Sequence, residues 1–131
     1  MSQDDVRRAV RTDGAPLPLG PYSQGIACGD LLFVSGQVPI DRVTKAVPES
    51  FPDQVRRALD NVAAIAEAAG ARLADAVRVG VFLANLDDFD EMNTVYRDYF
   101  EAPAPARTTV GAGIRGFAIE IDAVIAIRAG R

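Results

Sequence analysis

The sequence predicts an α+β fold: a mixed β-sheet with two helices packed on one of its faces. Three observations predict it. Short apolar runs with period-two alternation lie near both ends of the chain. Two segments of helical period lie between them, separated by a third apolar run. The resulting order is strands, helix, strand, helix, strands. At 131 residues the chain suits one domain, residues 1–131, and is long enough to bury a real hydrophobic core.

Taken in order, "RRAVR" at 7–11, balanced by Asp4 and Asp5, reads as a solvated charged face. "TDGAPLPLGPY" follows as an ordered Pro/Gly loop. "GIACGDLLFVSGQVPI" gives two strands, with Gly29-Asp30 suited to the two-residue turn of a hairpin. Ser35-Gly36 interrupts the second strand, so Gly36 marks a bulge or a close approach to the backbone. The first helix takes Ser50 as N-cap, Pro52 in its first turn and Gly70 as its stop. Val55, Leu59, Val62, Ala66 and Ala69 form its apolar stripe.

"AVRVGVFLAN" is a strand with Val77, Val79, Val81 and Leu83 on one face. A second helix spans 88–100, capped by Asp87 or Asp88, with Phe89, Met92, Tyr96 and Tyr99 as its stripe and Asn93 on that stripe. A strand containing Arg107 follows. The last strand, "FAIEIDAVIAI", sets Phe117, Ile119, Ile121, Ile125 and Ile127 on one face and Glu120, Asp122, Val124 and Ala126 on the other. Two helices cover one face of this sheet, yet the second face also carries hydrophobes. A homo-oligomer is expected.

Composition narrows the chemistry. A net charge of −4 argues against bulk binding to nucleic acid or an anionic membrane. The N-terminal residues lack the apolar core of a signal peptide, and no apolar run approaches spanning length, so a cytoplasmic location is expected. The single cysteine, Cys28, forms no internal disulfide. With no histidine, zinc, haem and Ser-His-Asp chemistry are disfavoured, leaving Arg, Glu, Asp, Tyr, Ser and backbone groups. Arg107, leaving a Pro/Ala loop at the start of a strand with Thr109 at the same parity, is the conspicuous candidate. A guanidinium facing a cleft receives a carboxylate through two parallel hydrogen bonds.

"GPYSQGI" (20–26), "LLFVSGQVPID" (31–41), "ALDNVAAIAEAAGA" (58–71), "NLDDFDEMNTVYRDYF" (85–100), "APAR" (104–107) and "IEIDAVIAI" (119–127) together resemble the RidA/YjgF family of reactive-intermediate deaminases, also described as endoribonuclease L-PSP-like. The resemblance runs in order from Pro16 to Ile127. It implies a chorismate-mutase-like fold, a homotrimer with active sites between subunits, and no cofactor or metal. The implied activity is hydrolysis of enamines and imines, such as 2-aminoacrylate, 2-iminopropanoate and 2-iminobutanoate, to 2-oxo acids and ammonia. Carried over by motif, Arg107 binds the substrate carboxylate and Glu120 orients or deprotonates water. Tyr22, Ser35, Gly36, Asn93 and Thr109 complete the expected binding site. Thr109 stands where many deaminating members have cysteine, and the segment "TTVGAGIRGFAI" between Arg107 and Glu120 is shorter than usual and lacks a Leu-Pro. Two alternatives stay open: a non-catalytic carboxylate-binding or protein-interaction trimer, and a deaminase of another enamine, such as an aminomuconate-type intermediate.

Overall fold

A hairpin and a capped helix set the frame. In the computed structural model, which describes residues 6–128, Gly29 takes φ +59° and turns β2 (Gly25–Cys28) back into β3 (Leu31–Gln37). That left-handed conformation favours glycine, and the expected turn forms there. Helix α1 (Phe51–Ala68) begins where the Ser50 hydroxyl accepts the Asp53 N–H at 3.2 Å, and Gly70, at φ +76°, ends it. A cap of this kind contributes about 1 kcal/mol. Val55, Leu59, Val62, Ile65 and Ala66 turn inward and are fully buried. Truncating such a leucine to alanine costs about 2–5 kcal/mol.

Together with β1 (Arg8–Val10), β4 (Ala76–Leu83), β5 (Ala106–Gly111) and β6 (Ile119–Ala126), these strands form a six-stranded sheet among the described residues. Its order is β1-β2-β3-β6-β4-β5. Strands β4 and β5 run parallel and the other adjacent pairs antiparallel, so the sheet is mixed as expected. Strand β6 sits between β3 and β4, and its burial alternates at every residue. Ile119, Ile121, Ala123 and Ile125 join Leu32, Val34, Val79, Val81 and Leu83 in the core beneath α1 and α2 (Phe89–Tyr96). The opposite face bears Glu120, Asp122 and Val124, with Phe33 opposite Val124 and Phe82 opposite Glu120. Leu31, Phe33 and Val110 are exposed on it, at 38%, 46% and 41%. This is the second apolar face that the pattern anticipates.

Three elements depart in part from the sequence reading. Within "RRAVR" the arginines are exposed, as a solvated face requires, but a short strand forms there as well: Val10 is buried and pairs with Gly25. Asp4 and Asp5 lie outside the described residues. Val77 is exposed rather than aligned with Val79, because a register shift between Ala76 and Arg78 reverses its parity. Helix α2 ends at Tyr96, not at residue 100. Asp88 holds its N-cap position, one of the two expected, but its side chain makes no cap bond; the side-chain cap lies upstream, where the Asn85 carboxamide accepts the Asp87 N–H at 2.9 Å and starts the 3₁₀ turn Leu86–Asp88.

The long loop before β2 hangs on one side chain. Gln24 is 2% exposed; its Nε2 donates to the carbonyls of Thr12, Ala15 and Pro16, and its Oε1 accepts the Thr12 N–H at 2.8 Å. A buried carboxamide so engaged carries little desolvation penalty and fixes the loop's base. No helix among the described residues is long and apolar enough to cross a membrane.

Candidate functional site

Glu120 stands on the open face of the sheet, opposite Phe82 of β4. The β3 ladder breaks between Val34 and Gln37, and this bulge sets Gly36 beneath the Glu120 side chain. A Cβ at residue 36 would meet Glu120 Oε2 at 2.6 Å, so the glycine is what admits the carboxylate. Both readings of Gly36, bulge and close approach, therefore hold. Burial pushes the Glu120 carboxyl above its ordinary value, and the neighbouring Asp122 charge adds to the shift. Both effects make the carboxylate a stronger base than a solvated glutamate.

Tyr22 and Gly36 share a hollow of about 330 Å³ with Glu120, further lined by Phe82 and Arg115. The Tyr22 hydroxyl accepts the Leu19 N–H at 3.1 Å, which folds the loop tip over the hollow. The Ser35 hydroxyl donates to the Ser23 carbonyl, so its proton is engaged in tying β3 to that loop. Ser35 thus acts on the hollow through Tyr22's neighbour and keeps only an acceptor free.

Arg107 lies elsewhere. In the parallel β4–β5 register it sits opposite Val79, and Thr109 sits opposite Val81, so both face the helices. The guanidinium carbon stands 4.7 Å from the Tyr96 ring centroid and 5.7 Å from that of Phe89. One Nη lies 3.9 Å from the Met92 sulfur. Among the described residues no carboxylate lies within 4 Å of it. The cation is held by aromatic faces, which attract it through their quadrupoles without neutralising it. Two hydroxyls of the same region, those of Tyr96 and Thr109, are buried with no partner among the described residues. Burial raises the Tyr96 hydroxyl above its usual range, against an opposing pull from Arg107. Asn93 is half-buried on α2, between Phe89 and Tyr96 in sequence.

The expected residues therefore fall into two groups. Tyr22, Gly36 and Glu120, with Ser35 behind them, gather on the open face. Arg107 and Thr109, with Asn93 nearby in sequence on α2, belong to the helix side. Strand β4 lies between β5 and β6, so the strands that carry Arg107 and Glu120 are themselves about 10 Å apart in the sheet. Phe89, Met92 and Tyr96 hold Arg107, although the sequence marks them only as helix stripe; Phe89 itself is 39% exposed. Their signal is an apolar helix face immediately preceding an arginine-bearing strand. No cluster of three or more His, Cys, Asp or Glu side chains that could hold a metal ion forms among the described residues.

Residues 12–127 match the family model described as endoribonuclease L-PSP. The chain is 43% identical over 122 residues to a RutC family protein of Pyrococcus horikoshii, covering 91% of this chain and 97% of that one. It is 40% identical over 124 residues to a 2-iminobutanoate/2-iminopropanoate deaminase of Salmonella typhimurium, with 91% and 97% covered. The crystal structure of Escherichia coli TdcF with bound serine superposes with a TM-score of 0.86 at 36% identity, covering 93% of this chain and 99% of that one. Strand order, bulge, glutamate and arginine thus sit in a scaffold shared along nearly the whole chain, and the protein belongs to the RidA/YjgF family.

Proposed function

We propose that the protein hydrolyses small 2-imino acids to 2-oxo acids and ammonia, in the cytoplasm, at sites completed between copies of the chain. The observation that carries this reading is the Arg107 guanidinium, held on two aromatic rings with no carboxylate within 4 Å among the described residues. A preorganised, uncompensated fork is a receptor for a carboxylate supplied from outside. The similarity to a named iminobutanoate deaminase, and to a protein crystallised with serine bound, supports a substrate of amino-acid size.

Opposite faces of one sheet cannot both touch a molecule so small. Arg107 belongs to β5, an edge strand, and Glu120 to a face with exposed apolar side chains. Burying that face between protomers removes apolar surface from water and brings the edge of one copy towards the Glu120 hollow of the next. A homotrimer closes such heterologous contacts in a ring.

In that site Arg107 fixes the carboxylate and the backbone at Gly36 faces the body of the substrate. The imine carbon is already electrophilic, so catalysis is mainly positioning and proton transfer. With the imine nitrogen protonated, Glu120 takes a proton as the water oxygen bonds to C2, giving a neutral carbinolamine. It passes that proton to the amino nitrogen. The C–N bond then breaks as the hydroxyl becomes a carbonyl and returns a proton to Glu120. Ammonia and the 2-oxo acid leave, and the proton follows to solvent or to ammonia.

The test couples an amino-acid oxidase, as imine source, to capture by semicarbazide. The protein lowers semicarbazone yield, and Arg107→Ala and Glu120→Gln each abolish the effect with the fold intact by circular dichroism. Mixed and reassembled, the two inactive variants regain about a quarter of the wild-type rate, because random assembly pairs an intact arginine with an intact glutamate at that fraction of heterologous interfaces. Full activity in Arg107→Ala, or no recovery on mixing, overturns the proposal.

A further inference from the structure

The hollow around Glu120 adjoins another chamber. A second hollow of about 370 Å³ opens between the loop before β2 and the segment after β3. Pro16, Leu17 and Pro18 line one side, and Val38 and Ile40 the other. Leu19, Tyr22, Gly36 and Val38 line both hollows, so the two meet along a common wall. Most of the lining is apolar, and its polar side chains are each tied at one point at least to the backbone. Gln24 is held by the loop backbone, Gln37 Nε2 donates to the Ser35 carbonyl, and Lys45 Nζ donates to the Arg42 carbonyl at 2.8 Å. What the chamber offers an occupant is mainly apolar surface, with the Lys45 ammonium at its edge.

The geometry points to this chamber as a subsite for the side chain of the substrate, selecting 2-imino acids with branched aliphatic side chains over 2-aminoacrylate and 2-iminobutanoate. The inference rests on the proposed deamination and adds its substrate class. With the carboxylate on Arg107 and the C2 carbon beside Glu120 and Gly36, the remaining substituent at C2 has the shared wall before it. An isobutyl group carries two more carbons towards that wall and the chamber beside it than an ethyl group does. Pockets of this size commonly enclose small ligands, with apolar walls supplying affinity and a few polar groups supplying orientation. Leu19, 81% exposed at the junction, is the side chain that can close over such a group.

The experiment compares imines generated in situ by an L-amino-acid oxidase from leucine and from 2-aminobutyrate, with semicarbazide capture as readout. Two additional buried carbons favour the leucine-derived imine about 15-fold in kcat/KM. Leu17→Trp, at a position 44% exposed and so able to accept a larger ring at the chamber's mouth, lowers the ratio of the two kcat/KM values about tenfold. Calorimetry with the product analogues 4-methyl-2-oxopentanoate and 2-oxobutanoate shows the same order of preference and the same loss in the variant. Equal rates on both imines, or a variant that slows both alike, overturns the subsite while leaving the deamination standing. No turnover of either imine overturns the deamination itself, and the subsite with it. A variant with altered oligomeric state and unaltered selectivity assigns the chamber to a neighbouring copy and also refutes the inference.

Discussion

Gly36→Ala places one methyl group where the carboxylate of Glu120, the proposed proton carrier, lies. The new Cβ would stand 2.6 Å from Glu120 Oε2, 2.8 Å from its Cδ and 3.1 Å from its Cγ. Ordinary contacts begin near 3.4 Å, so the carboxylate must retreat by about 0.8 Å. The obstructing atoms are the far end of a flexible side chain, and the fold survives the change. Gly36 has no left-handed φ, so alanine fits its backbone. A shift approaching 1 Å at a group that transfers protons costs about 10²-fold in rate. The expected result is therefore kcat reduced by about two orders of magnitude, KM for 2-iminobutanoate nearly unchanged, and a melting temperature within a few degrees of wild type. Steady-state kinetics with semicarbazide capture and a crystal structure of the variant decide it. A displaced Glu120 with undiminished kcat would refute its role as proton carrier.

Asp122→Asn removes the like charge that helps raise Glu120. The base acts when deprotonated, so the acidic limb of the pH–kcat/KM profile moves to lower pH; an unmoved limb shows that a different group titrates there. Tyr96→Leu removes one aromatic face from Arg107 and raises KM several-fold to tenfold with little change in kcat, whereas Tyr96→Phe keeps the face and stays within about twofold of wild type. Equal losses in both would show that the ring does not position the guanidinium. Asp75 is bound by Arg72 and Arg128, and these partners pull its carboxyl from 3.8 down to about 2. A carboxyl lowered on folding stabilises the fold above its unfolded value, and that contribution is lost as pH falls from about 4 towards 2. Arg128→Ala shifts the midpoint of acid unfolding, followed by circular dichroism, to higher pH; an unchanged midpoint rejects this account.

Elements governed by local chemistry are legible in the sequence. Ser50, Pro52 and Gly70 bracket α1 because capping and left-handed termination depend on the residues at those positions. The alternation of β6 survives intact because one side of that strand is core at every second residue. Position 36 announces itself because a glycine has little reason to interrupt an aliphatic strand. Other features depend on pairing between distant segments. Strand β1 has a single buried residue, Val10, so its three residues carry no alternation to read. One extra residue between Ala76 and Arg78 is enough to turn Val77 outward. For the site, parity along β5 shows that Arg107 and Thr109 agree in direction. Which side of the sheet they take is set by the parallel register with β4, and no local pattern encodes it. The aromatic support from Phe89 and Tyr96 depends on that same long-range choice.

The loop before β2 is moored at its root by Gln24 and ends in an exposed tip, Leu17 to Leu19, that touches both hollows. Anchor and tip are separate parts with separate duties. Changes at residues 17–19 can remould the lining while a single buried carboxamide keeps the base of the loop on the sheet. A scaffold divided in this way can vary what its hollows admit through three tip residues, without disturbing the sheet that carries Glu120.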